Sequence, residues 1–158
     1  MPADRLTSAE RHGLGSLAST LDCSCVRLYR PCTGGPAGLL RKAVLWISRN
    51  RPVALGNHVF LPDRCHRDLP LLAHELTHCA QYQAWGAGRY FARGLFDQIR
   101  DLLHRKVRIG SSPYHYSAEP GKQFHEYGME QQGQIVEDCF RGYPPAKAIS
   151  PFQPQRDA

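Results

Sequence analysis

The sequence lacks any apolar run that approaches the length of a membrane-spanning helix, and its first thirteen residues contain no hydrophobic signal core. It therefore predicts a protein with no membrane span and no secretory signal. Such a protein is either cytosolic or exported by a machinery that does not read signal peptides, to act in a target cell or the periplasm. No internal repeat and no second domain are indicated, so the 158 residues predict one small domain.

Paired metal-binding cysteines are also missing, because none of the six cysteines forms a C-x-x-C pair. This excludes the usual zinc-ribbon spacing. Acidic residues are outnumbered by basic ones, which gives a net charge of +6 and favours anionic partners. The arginines are nevertheless spread along the chain, and no recognised nucleic-acid-binding element is present. We therefore expect no nucleic-acid partner.

The stretch from Leu71 to Tyr82, which reads LLAHELTHCAQY, contains His74-Glu75-x-x-His78. Residues four apart share one face of a helix, so the two histidines can bind one metal ion while Glu75 lies beside it. Two imidazole ligands followed by a general base form the H-E-x-x-H arrangement of zinc hydrolases. The pattern predicts a zinc site with Glu75 as the catalytic carboxylate.

The local sequence supports a helix around this motif. Asp68 is suited to the N-cap position, Pro70 falls in the first turn, and Gly86 follows the last apolar residue. Almost no charged residue lies on the rest of the helix surface, so we expect the helix to be central and covered on both sides. Two histidines inside a buried helix need polar partners, and a metal ion supplies one.

Around this helix the sequence predicts a short antiparallel sheet and two longer helices, which together give a single α+β domain over residues 1–143, best defined over 53–140. Gly56-Asn57 is a favourable hairpin turn. The Pro-rich residues 144–158 are expected to form an extended or disordered tail. The other predicted elements are a weak helix over 8–21, a strand over 24–29, a loop over 31–38, a hairpin over 52–61, and helices over 89–106 and 122–141. The pattern over 39–48 is ambiguous, and its Val44-Leu45-Trp46-Ile47 core favours a strand by composition.

A catalytic zinc usually has three protein ligands and keeps a fourth position for water. Glu126, Glu130 and Glu137 share one side of the predicted helix over 122–141, so helical geometry does not choose among them. Gly133 favours Glu130, because a glycine one turn later would let this helix approach another backbone closely. Further candidates downstream of the motif are Glu119, His115 and His125.

The segment AHELTH resembles the active-site helix of the zincin metallopeptidases, and in particular the thermolysin-like gluzincin branch. In that branch the third ligand is a glutamate in the pattern E-x-x-[small], which Glu130-Gln-Gln-Gly133 matches. The sequence departs from that branch at Met129, where the pattern has Asn. Three blocks, at 54–60, 74–78 and 126–140, are similar to metallopeptidase domains associated with Rhs and spike proteins of bacterial type VI secretion. The resemblance spans about Val53 to Phe140.

The resemblance implies one Zn²⁺ per chain, bound by His74, His78 and Glu130. It also implies a peptide or protein substrate that pairs with the edge of the predicted hairpin, and a secreted antibacterial toxin with an immunity or carrier protein as partner. Tyr116 and His115 are candidates for stabilising the transition state, as are Tyr127 and His125. The competing hypothesis is a metal-stabilised binding module without hydrolytic activity, which a fourth protein ligand such as Cys79 or His125 would favour.

Overall fold

The computed structural model describes residues 2–96 and 114–155, which form a small α+β domain. The predicted fold class is confirmed. The strands are β1 (Arg27–Tyr29), β2 (Val53–Leu55) and β3 (His58–Phe60). The helices are α1 (Ser8–Leu14), α2 (Ser16–Thr20), α3 (Gly35–Ile47), α4 (Leu69–Trp85), α5, which is described over residues 87–96, α6 (Met129–Phe140) and α7 (Pro144–Ile149).

The sheet has the strand order β1-β3-β2, with β2 and β3 forming the predicted hairpin around a turn at Gly56 that has φ 64°. β1 joins β3 in parallel, so the sheet is mixed, and the prediction of a purely antiparallel sheet is wrong in this respect. Neighbouring residues on each strand face opposite sides of the sheet. Leu28 and Val59 pack into the larger core with α4, whereas Tyr29 and Phe60 pack against α3 on the other side.

α4 occupies the centre of the domain, as its sequence predicts. Asp68 caps its start by accepting a hydrogen bond from the Leu71 amide at 3.1 Å, and the Gly86 amide donates to the Tyr82 carbonyl at its end. The sheet covers one side of the helix, and α6 packs against another side. No helix in the described part of the chain is both long and apolar enough to cross a bilayer.

Residues 39–47 belong to α3, which ends at Ile47, so the strand that composition favoured in this ambiguous segment is wrong. The loop predicted over 31–38 is wrong at its end, because α3 already begins at Gly35. The reason lies in spacing rather than composition. Gly38, Arg41 and Leu45 recur at three- and four-residue intervals and are buried, and Leu45 packs with Tyr29 and Phe60 of the sheet. This helical spacing is hard to recognise in the compact Val44-Leu45-Trp46-Ile47 core. Arg41 donates from Nε and Nη2 to the Leu61 carbonyl, at 3.0 and 2.7 Å, and ties α3 to the end of β3.

Helix boundaries elsewhere also differ from the predictions. The helix predicted over 8–21 is divided at Gly15, which has φ 54°. The helix predicted over 122–141 begins only at Met129, after a short 3₁₀ turn at Phe124–Glu126. The expected extended tail is helical over Pro144–Ile149, where Ala146 is fully buried. The helix predicted over 89–106 is present in residues 87–96, and its remainder lies outside the described residues.

Candidate metal centre

His74, His78 and Glu130 converge between α4 and α6, and one ligand atom from each lies within 4.8 Å of the other two. Glu130 Oε2 is 3.8 Å from His74 Nε2 and 3.5 Å from His78 Nε2. Both histidines are buried, and Glu130 is largely so. Two imidazoles and a carboxylate at this spacing could hold a metal ion, and this donor set suits zinc.

Glu137, one of the alternative third ligands, lies on the other side of the His74 ring. Its Oε2 atom is 3.2 Å from Nδ1, whereas Glu130 faces Nε2. Glu137 therefore cannot share an ion bound at Nε2, but it can orient the ring, as carboxylates behind zinc-bound histidines do. Arg141 donates to Glu137 Oε1 at 2.9 Å and to Asp68 Oδ2 at 2.8 Å, which links Glu137 to the start of α4.

Glu126 is excluded from the centre because α6 starts three residues after it. Its carboxylate instead accepts a hydrogen bond from the Gln123 amide within the 3₁₀ turn. The expectation that Glu126 shares a helical face with Glu130 and Glu137 is therefore wrong. His125 is exposed, and Cys79 belongs to the apolar core. Neither joins the cluster among the described residues.

Gln81 fixes the orientation of His78, a role that sequence reasoning missed. Its Oε1 atom lies 2.8 Å from His78 Nδ1, while its Nε2 donates to the Met129 carbonyl and to Gln132 Oε1. The side-chain nitrogen of Gln81 donates its hydrogens to these two acceptors, so the Oε1 atom of Gln81 can only accept. His78 Nδ1 therefore carries the proton, and His78 Nε2 is left as the ligand atom. The available signal was position, since Gln81 follows His78 by three residues on the same helix face.

Opposing electrostatic effects act on the cluster. Burial by itself lowers the pKa of His74, but its contacts with Glu130 and Glu137 raise it to about 10. Burial likewise lowers the pKa of His78, and the charge of Glu130 outweighs it and raises the pKa. Although burial raises the pKa of Glu130, the two imidazoles hold it well below its usual range. A divalent cation here would take the place of the protons on the imidazoles.

Glu75 is buried beside the cluster without belonging to it. Burial raises the pKa of its carboxyl group, while the nearby His74 and His78 act in the opposite direction. Among the described residues no side chain donates a hydrogen bond to it. A carboxylate with a raised pKa that accepts no side-chain hydrogen bond within the described residues is suited to accept and return a proton.

Two of the four candidates for transition-state stabilisation, Tyr116 and His115, form contacts outside the cluster. Tyr116 donates from its hydroxyl to Asp138 Oδ2 at 2.8 Å, and His115 is exposed, with its carbonyl accepting from Gln131 Nε2. Within residues 2–96 and 114–155, no hydrogen bond or ion pair joins either of them to His74, His78 or Glu130. Their catalytic assignment stays a prediction, which these contacts do not favour.

Gly133 provides the close approach between α4 and α6 that the sequence suggested. A Cβ atom at this position would lie 2.8 Å from His74 Nε2 and 3.0 Å from two ring carbons. The contact involves the ligand nitrogen itself. A side chain of any size at position 133 would therefore displace either the His74 ring or α6.

We expect Gly133→Ala to weaken zinc binding by about tenfold or more, because metal sites tolerate ligand displacements of only about 0.5 Å. Competition with a chromophoric chelator measures the loss. Gly88→Ala is the matched control, since Gly88 lies in the described part of α5 with open space around its Cβ position. Equal zinc affinity of the two variants would contradict the close approach.

Comparison with known proteins gives one distant relation. No family model matches the chain, and no solved structure matches it. Over 70 residues the chain is 39% identical to the type VI secretion system spike protein VgrG2b of Pseudomonas aeruginosa. The match covers 44% of this chain and 6% of the spike protein, so the chain spans a small part of that relative. This weak homology does not establish a family.

Proposed function

We propose that the protein is a zinc metallopeptidase in which His74, His78 and Glu130 bind the metal and Glu75 is the general base. The observation that carries the proposal is the composition of the cluster, which contains three ligands rather than four among the described residues. Structural zinc sites are closed by four protein ligands, whereas catalytic sites use three and keep a position for water or substrate. The cluster therefore favours catalysis over the metal-stabilised binding module.

Different residues of the chain would have different roles in peptide hydrolysis. A bound zinc would lower the pKa of a coordinated water towards 7 and polarise the scissile carbonyl. Glu75 would accept a proton from the attacking water and return it to the leaving amine. Gln81 and Glu137 would hold the two histidines so that both Nε2 atoms face Glu130, which keeps the ligands positioned before any metal or substrate arrives.

A peptide substrate is supported by the position of β2 at the edge of the described sheet. Ala54 is opposite Val59 in a non-hydrogen-bonded pair, so its backbone groups face outwards. The Tyr90 hydroxyl donates to the Ala54 carbonyl at 2.9 Å. An extended peptide that adds to β2 would therefore share or replace this bond, and backbone pairing of this kind makes little demand on sequence.

The relation to a type VI spike protein supports a role as an effector delivered by that secretion system, where a peptidase would act as a toxin. An immunity or carrier protein would then be its partner. These assignments rest on a relative of which the chain matches only 6%, and they are part of the proposal.

Hydrolysis is tested by incubating the zinc-loaded protein with a peptide library derived from a bacterial proteome and sequencing the new N-termini by mass spectrometry. We expect cleavage that disappears when 1,10-phenanthroline removes the zinc and returns when zinc is restored, because the metal supplies the activated water. Zinc-loaded protein that cleaves no peptide in the library would contradict the peptidase assignment and favour the binding module.

A further inference from the structure

The outer face of α3 is apolar although nothing in the described part of the chain covers it. The inner face, with Gly38, Arg41 and Leu45, is buried, and Leu45 packs against Tyr29 and Phe60 of the sheet. A helix that is apolar on both faces is normally covered on both, and an exposed apolar patch of this kind marks an interaction surface. The most exposed side chains of the outer face are Trp46 at 81%, Ile47 at 74%, Leu39 at 69% and Leu40 at 47%.

The net charge of the protein is concentrated in the same part of the chain. Residues 23–62, which contain α3 and all three strands, hold six Lys or Arg and no Asp or Glu. The other residues hold fourteen basic and fourteen acidic side chains, so the whole net charge of +6 belongs to this segment. The arginines are spread evenly along the sequence, so the excess of positive charge in residues 23–62 results from the absence of acidic residues there.

Three of these basic residues are available at the α3 surface. Lys42, Arg49 and Arg51 are exposed and form no ion pair among the described residues. Lys42 lies four residues before Trp46 and so shares its helix face, while Arg49 and Arg51 directly follow the end of the helix. Other members of the segment are already paired, since Arg41 contacts Asp63 and Arg30 contacts Glu10.

We propose that this surface docks peripherally on an anionic lipid bilayer. Trp46, Ile47 and Leu39 lie at the boundary between headgroups and acyl chains, and the basic residues contact the anionic headgroups. An interfacial helix combines these two properties, with Trp and Leu on the buried side and Lys or Arg beside them. Binding of a phosphate polymer would leave the aliphatic side chains exposed to water. Binding of an uncharged apolar partner would leave Lys42, Arg49 and Arg51 without counter-charges.

The geometry separates this surface from the metal centre. α3 packs on the sheet face formed by Tyr29 and Phe60, whereas α4 packs on the opposite face. Docking through α3 therefore leaves the centre on the side of the sheet away from the bilayer. With thirteen residues, α3 is too short to span a membrane. The inference does not depend on zinc or on hydrolysis, and either can fail without the other.

Flotation of the full chain with vesicles tests the proposal, using pure phosphatidylcholine and a mixture of phosphatidylcholine with phosphatidylglycerol. We expect the protein to float with the mixed vesicles at low salt, and to bind pure phosphatidylcholine far less. Neutralising Lys42 or Arg51 by glutamine should weaken partitioning about fivefold for each charge removed. Trp46→Ser should weaken it about tenfold or more.

Tyr143→Ser is the matched control, because Tyr143 is an exposed aromatic residue that follows α6. It should float like the wild type, and circular dichroism of each variant should be unchanged. The proposal is overturned if mixed and pure vesicles bind equally, if neither binds, or if Trp46→Ser floats like the wild type. It is also overturned if the wild type does not bind vesicles but forms dimers that Trp46→Ser abolishes, since a second copy of the chain would then cover α3.

Discussion

Replacing Glu75 with glutamine is expected to abolish peptide hydrolysis while zinc remains bound. Glutamine has nearly the same shape as glutamate but cannot accept a proton from the attacking water. Glu75 also lies outside the ligand cluster of His74, His78 and Glu130, so the change leaves the metal ligands in place. General-base catalysis contributes about 10²–10⁴-fold to such reactions, and a loss of that order in kcat is the expected result.

The experiment compares cleavage rate and zinc content in the same preparations. Glu126→Gln makes the same chemical change at a carboxylate that is exposed and outside the centre, and it should retain the wild-type rate. The two possible failures are distinguishable. An active Glu75→Gln variant would show that Glu75 is not the base, whereas an inactive variant that has lost zinc would show that Glu75 holds the metal site together.

Glu130→Ala is expected to have the largest effect on metal binding. The substitution removes the only carboxylate of the described cluster and leaves the two Nε2 atoms without an acceptor between them. Removing a residue that only orients a ligand costs about 10–100-fold in metal affinity. Loss of the ligand itself should exceed that range, as measured by competition with a chromophoric chelator.

Two neighbouring glutamates provide graded controls for this measurement. Glu137→Ala removes the carboxylate that lies 3.2 Å from His74 Nδ1 and should reduce zinc affinity within the range of about 10–100-fold expected for an orienting residue. Glu126→Ala should have no effect, because Glu126 precedes α6. If Glu137→Ala costs more affinity than Glu130→Ala, the assignment of the third ligand is wrong and Glu137 is the ligand.

The sequence predicted best where one signal was local and strong. The cap at Asp68, the glycine at Gly86 and the near absence of charged residues between them, with Glu75 as the exception, predict both the extent and the central position of α4. The hairpin turn at Gly56 is equally local. Gly133 predicted a close contact with another part of the fold. A glycine inside a helix lowers the stability of the helix, so its presence indicates that another group must approach the backbone there.

The sequence failed where packing overrode local composition. The run Val44 to Ile47 resembles a strand, yet burial at three- and four-residue spacing makes it part of α3. The start of α6 depends on the 3₁₀ turn before Gly128, which removes Glu126 from the helix and could not be located from periodicity alone. Gln81 acts through Met129 and Gln132, residues about fifty positions away, so only the folded contact between α4 and α6 shows its role.

The zinc content of the purified wild-type protein, measured by mass spectrometry after reconstitution and dialysis, tests the central claim most directly. The account predicts one zinc per chain in the wild type, retention in Glu126→Ala and loss in Glu130→Ala. A wild-type protein that holds no zinc after reconstitution would contradict the metal centre, and with it the proposed peptidase activity. Zinc retained equally in all three proteins would contradict the assignment of Glu130 as the third ligand.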